Sequence, residues 1–218
     1  MALDTYTDLQ ASIAAWLDRT DLTAVIPEFV RLAEEQMAHD LAGCPALATV
    51  ETGLSLTAGS DTLTLDAGAI GLKQIRLLTP TVRELIFRPA DELRAVSPSS
   101  GVPSKCAVMG GSVSGGLSVR VYPTPDQSCT FDAFYASLPG LSGTVTTNFV
   151  LAAAPSIYLY GSLLQAAPYL ADEPRVATWQ ALYARAVESF MAQEWTGPVK
   201  LRTDVPLSRH AFYDITQG

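Results

Sequence analysis

Phe149–Ala171 reads FVLAAAPSIYLYGSLLQAAPYLA and carries no charged side chain. Leu159, Leu163, Leu164, Ala167 and Leu170 recur at helical spacing, while Ile157, Tyr158, Tyr160 and Ala166 occupy the other sides. A helix with so little polar face is buried, either in protein or in lipid. Pro155 and Pro168 bracket an uninterrupted run well short of the roughly 20 residues that a membrane span requires. Ser156, Ser162 and Gln165 sit inside it, and no Lys/Arg cluster flanks it. The stretch therefore predicts a central helix wrapped by other helices, with Pro155 in its first turn, where a missing N–H is harmless. No membrane partner is expected.

The wrapping helices lie on either side in sequence. Thr5–Tyr6–Thr7–Asp8 has the form of a capping box, followed by Tyr6, Leu9, Ile13, Trp16 and Leu17 on one helical face ending near Arg19. A second helix begins around Pro27, with Phe29, Val30, Ala33, Met37 and Leu41 as its apolar stripe and Gly43 and Pro45 stopping it. After the central stretch, Asp172 offers an N-cap to a long amphipathic helix through Val176, Trp179, Tyr183, Ala186, Val187 and Phe190, which Gly197–Pro198 ends. Between these helices the period changes to two. Val50, Thr52, Leu54 and Leu56, then Leu63 and Leu65, alternate around Gly59–Ser60, a hairpin signal. Further strands are predicted over 70–78, 82–88, 104–109, 117–122 and 129–137, with a short helical start at Pro89–Leu93 and a loop over 110–116. The expectation is an α+β protein: a bundle of about four helices from 1–45 and 148–196, with an antiparallel β-sandwich or barrel-like insertion over 46–147. Residues 197–218 form an extended C-terminal tail, apolar enough at Leu201, Val205, Leu207, Phe212 and Tyr213 to need a partner surface.

Composition narrows function mostly by exclusion. Hydrophobic residues make up 48% of the 218 and charged residues 17%, which favours burial of surface against other copies. A net charge of −8 and scattered basic residues argue against affinity for nucleic-acid phosphates. Residues 1–45 hold eight acidic and two basic side chains, so the acidity sits in the first two helices. Cys44, Cys106 and Cys129 fit neither a disulfide framework nor a paired metal spacing, consistent with synthesis in a reducing cytoplasm. The first residues have neither the basic nor the apolar region of a signal peptide. His39 and His210 lack ligand-spaced companions, and no nucleophile elbow or phosphate-binding glycine motif occurs. No catalytic residue, cofactor or metal site is expected, although Asp61, Asp66, Asp126 and Asp132 stand where a glycosidase pair would hide.

Three stretches taken together resemble the head-to-tail adaptor (connector) proteins of tailed bacteriophages, in particular the larger type found in short-tailed phages and gene-transfer particles. The first runs from Tyr6–x–Asp8–Leu9 through Ile13, Trp16–Leu17, Arg19 and Asp21–Leu22 to Ile26–Pro27–x–Phe29–x–x–Leu32–Ala33–Glu34. The second comprises Val121–Tyr122–Pro123–x–Pro125, Phe134–Tyr135 and Leu138–Pro139–x–Leu141–Ser142. The third is Asn148–Phe149–Val150–Leu151, Pro155, Tyr158–Leu159–Tyr160–Gly161, Leu163–Leu164 and Ala166–Ala167–Pro168–Tyr169–Leu170, followed by Val176, Trp179 and Tyr183.

The resemblance implies a structural virion protein at the head–tail junction, assembled in the bacterial host cytoplasm. It implies a ring, commonly of about twelve copies, that sits under the portal protein, continues the DNA channel and attaches the next tail component (nozzle, stopper or tail tube). A C-terminal extension grips the portal, here assigned to Lys200, Leu201, Arg202, Val205, Leu207, Arg209, Phe212 and Tyr213. Among the acids of the first helices, Glu28, Glu34, Glu35 and Asp40 are candidates to face the channel, where like charge would let genomic DNA pass without specific binding. The competing reading is a β module that binds glycans on a platform of Tyr122, Phe131, Phe134 and Tyr135; a polysaccharide-degrading enzyme is a third.

Overall fold

Thr5 opens the first helix as its capping box predicts. The Asp8 N–H bonds the Thr5 hydroxyl oxygen at 3.2 Å, and that hydroxyl donates to the Asp8 carboxylate at 2.7 Å. The structure, a computed structural model, describes residues 3–19, 21–111, 116–170 and 174–193. Within them the chain is α+β, with six helices and two four-stranded sheets.

Helix α1 (Tyr6–Leu17) stops at Asp18, which takes a left-handed φ of 51°. Leu9, Ile13 and Leu17 are buried, but Trp16, expected on the same face, is 43% exposed and meets the Tyr160 ring edge-on. In α2 (Ile26–Asp40) the stripe Phe29, Val30, Ala33 and Met37, with Leu41 just beyond, is fully buried. The central stretch divides where its first proline falls. Pro155 has no N–H to continue a helix, so the short α4 (Phe149–Ala153) ends at Ala154 and α5 (Pro155–Ala166) begins anew. Ile157, Tyr158, Leu159, Leu163 and Ala166 are buried, and α5 packs against α1, α2, α4 and α6 (Val176–Met191), as a central helix should. Gly161 permits this on two sides at once: a Cβ there would lie 3.2 Å from the Tyr183 ring and 3.4 Å from Ala33. Trp179, Tyr183 and Phe190 anchor α6. Asp172 and Gly197–Pro198 lie outside the described residues, but neither bounds this helix as predicted: it starts after Arg175 and ends at Met191, with Ala192 as its C-cap.

One sheet has the order β1-β8-β3-β4, from β1 (Ala48–Leu56), β3 (Ala69–Thr79), β4 (Arg83–Glu84) and β8 (Cys129–Ser137). The other has the order β2-β7-β6-β5, from β2 (Thr62–Thr64), β5 (Ile86–Phe87), β6 (Lys105–Gly111) and β7 (Leu117–Tyr122). The remaining helix, α3 (Ala90–Ala95), contacts β6. Three expectations need correction. The turn at Gly59–Ser60 joins no hairpin, because β1 pairs with β8 and β2 with β7 in the other sheet. A period of two says which residues share a face but not which strand lies alongside; Leu56, Leu63 and Leu65 reach one apolar cluster from two different sheets. Residues 82–88 are not one strand. Buried Leu85 bonds Ile75 O, and at Ile86 the chain leaves the first sheet for the second, bonding Ser104 O. The pairing is also not wholly antiparallel, since β5 runs parallel to β6.

Two apolar clusters result. One lies among the helices; the other draws on both sheets through Ile75, Leu77, Cys106, Val119, Val121 and Phe131. The three cysteines are buried and free, and burial beside Glu84 pushes the Cys106 thiol up to about 12, so it stays protonated and inert. Ala136, Leu138 and Leu141, at and beyond the end of β8, belong to the helical cluster, so the strands feed directly into the bundle.

Candidate functional site

The joint between strands and helices is built on one polar cluster. Asn148 caps α4 by accepting from Leu151 N–H at 2.9 Å, and its amide donates to Pro139 O at 2.8 Å and to the Tyr158 hydroxyl. Tyr158, on the central helix, donates its own hydroxyl hydrogen bond to Glu34 Oε1 at 3.2 Å. The same oxygen accepts the Leu141 N–H at 2.7 Å. Tyr6 N–H bonds Thr146 O, so the start of α1 is tied to the same connection. Each group satisfies a neighbour that burial would otherwise penalise. Burial raises the Glu34 carboxyl above its ordinary value, against the pull of the Leu141 N–H and the Tyr158 hydroxyl. Burial also raises the Tyr158 phenol, reinforced by Glu34.

The four acids picked out in the sequence do not form one face. Glu34 is half-buried in this cluster, and Asp40 accepts the Tyr183 hydroxyl at 2.7 Å, tying the end of α2 to α6. Glu28 and Glu35 are exposed and border a shallow hollow with Arg31 and Leu32. A larger groove of about 550 Å³ lies between α2, α5 and α6, lined by Gln36, Asp40, Leu164, Gln180, Tyr183, Ala184, Val187 and Glu188. Spacing alone could not distinguish Glu34 from Glu35, because the partners of Glu34 lie 107 and 124 residues away.

The resemblance motifs around Glu34, Leu138–Leu141 and Asn148–Tyr158 thus converge on one joint. The model of the SU10 adaptor protein family matches residues 4–202. The chain belongs to the SU10 adaptor protein family. No curated protein matches the sequence. The family is one of phage head–tail adaptors, which are structural virion proteins.

In this adaptor the remaining sequence expectations fall as follows. The tail residues Lys200, Leu201, Arg202, Val205, Leu207, Arg209, Phe212 and Tyr213 lie outside the described residues; the first three are within the family match. The aromatic platform does not assemble. Phe131 and Tyr135 are buried in the apolar cluster that draws on both sheets, leaving Tyr122 and Phe134 partly exposed, with Lys73 over the Phe134 ring. Among the described residues no group of three His, Cys, Asp or Glu side chains is placed to hold a metal, and no helix is long and apolar enough to cross a membrane.

Proposed function

We propose that copies of this adaptor form a ring, of about twelve by the family's habit, docked under the portal and continuing its channel toward the tail. The family match over residues 4–202 carries this reading. Exposed Leu32, Val82, Ile86, Phe149 and Tyr169 on the single subunit support it, since such side chains are covered when copies or partners pack together. In this reading 1–45 and 148–196 form the ring wall as one bundle of about four helices. The β insertion, 46–147, packs as a sandwich on that wall and offers a surface to the next tail component. Electron micrographs of the purified protein with and without its portal test the proposal. Rings on the portal are the expected result, and a chain that stays solitary with the portal present overturns it.

Residues 197–218 serve as the portal grip, burying Leu201, Val205, Leu207, Phe212 and Tyr213, with Lys200, Arg202 and Arg209 meeting acids on the portal. Deleting 198–218 is expected to abolish portal binding in a pull-down while leaving the thermal transition of the subunit in place. Retained portal binding would remove the tail from the mechanism. Glu28 and Glu35 are the better channel candidates, since both are exposed whereas Glu34 and Asp40 hold other elements. Repulsion from the duplex, with a phosphate every ~1.7 Å of axis, keeps DNA from sticking to an acidic wall. Changing both to glutamine is expected to slow genome ejection measured with a DNA-binding dye, most visibly at low salt. Unchanged ejection rejects that placement.

A further inference from the structure

The groove between α2, α5 and α6 and the tail that follows α6 have complementary chemistry. The groove floor is apolar at Leu164, Tyr183 and Val187, and its rim carries Asp40 and Glu188; among the described residues no basic side chain lines it. Residues 199–205 read VKLRTDV. In an extended conformation Val199, Leu201, Thr203 and Val205 share one face, and Lys200, Arg202 and Asp204 share the other, which keeps a net positive charge. Gly197–Pro198, just ahead of this segment, is a turn-forming pair.

The distances allow the segment to turn back on the helix it follows. The eight residues from Gln193 to Leu201 span up to about 26 Å when extended. The groove runs along α6 from Glu188 to Gln180, about 12 Å of helix. We propose that in the free subunit residues 199–205 fold back into this groove of their own chain, Leu201 and Val205 against Val187 and Leu164, Lys200 and Arg202 toward Asp40 and Glu188. Docking on the portal then requires the tail to leave the groove, so the grip is held in reserve until the portal competes for it. This rests on the reading of 197–218 as the portal grip, and it names where that grip is kept beforehand.

Cysteine trapping tests the proposal in the full-length chain. The native Cys44, Cys106 and Cys129 are all buried, so introduced thiols are the reactive ones. Val187→Cys with Leu201→Cys, and Ala184→Cys with Val205→Cys, are oxidised mildly alongside a control that pairs Arg31→Cys, exposed on the side of α2 opposite Gln36 and Asp40, with Leu201→Cys. A tethered tail already has a local concentration in the millimolar range around either site, and docking raises it further in the groove alone. Both groove pairs should therefore cross-link within one chain at least about ten-fold faster than the control. Lys200→Glu with Arg202→Glu should bring them down toward the control rate. Equal rates for groove and control pairs, or cross-links only between chains, overturn the proposal. The cross-linked chain should fail to bind portal and regain binding on reduction. If the reduced chain also fails, the portal-grip reading falls while the fold-back stands. If it binds but no groove cross-link ever formed, the fold-back falls and the grip stands.

Discussion

Replacing Asn148 with alanine is expected to cost about 3 kcal/mol, counting a lost helix cap and two further hydrogen bonds, one of them to the buried Tyr158 hydroxyl. For a chain of this length the thermal midpoint should fall by about 6–12 °C. The loss is large because the three bonds join a loop, α4 and the central helix, so no single relaxation recovers them. Tyr158→Phe keeps the ring volume and should cost about half as much. A midpoint for Asn148→Ala within about 2 °C of the parent would mean the cluster does not tie the strands to the bundle.

Glu34 adds a pH signature to the same joint. Its folded carboxyl is raised above its ordinary value of about 4.3, first by burial, with Leu141 N–H and Tyr158 opposing; Tyr6 and Tyr158 are the titratable groups near it. The folded chain holds the proton more tightly than the unfolded chain. This contribution is therefore fully present below the unfolded value and is lost as pH rises through the raised folded value. Glu34→Gln keeps an oxygen acceptor but does not titrate. Denaturant unfolding between pH 4 and 7 should show a falling component in the parent that the variant lacks, and parallel curves would refute the assignment.

Trp179→Ala is the second large effect, at about 3–5 kcal/mol for emptying a buried indole site. Arg175 lies over the same ring, 5.1 Å from its centre, and loses that contact too. Helix α6 packs chiefly on α5, so the variant should loosen α6 before the sheets. Hydrogen exchange should rise over 176–191 while residues of β3 and β8 stay protected. Portal binding should weaken as well, because α6 carries the tail. Tyr183→Phe, which removes only the bond to Asp40, should cost about 1 kcal/mol and leave portal binding intact. Uniform loss of protection across helices and sheets would show that the two clusters unfold as one.

The sequence alone determined which stretches are buried and of what type. An uncharged run that contains Pro155 must be a buried helix starting near that proline, and the capping box at Thr5, the stripe of α2 and the anchors of α6 follow from local geometry. Chemical class was legible too, because the motifs that carry the family resemblance are contiguous runs. Pairing and partnership were not. Whether Gly59–Ser60 closes a hairpin, and whether residues 82–88 stay in one sheet, depends on strands far away in sequence, since alternation is the same for any neighbour. Glu34 and Glu35 are adjacent acids on one helix, and only the arrival of Leu141 and Tyr158 draws the first inward and leaves the second in water. Local periodicity fixes a side chain's direction relative to its own element; what it meets there is decided by contacts closed over a hundred residues of chain.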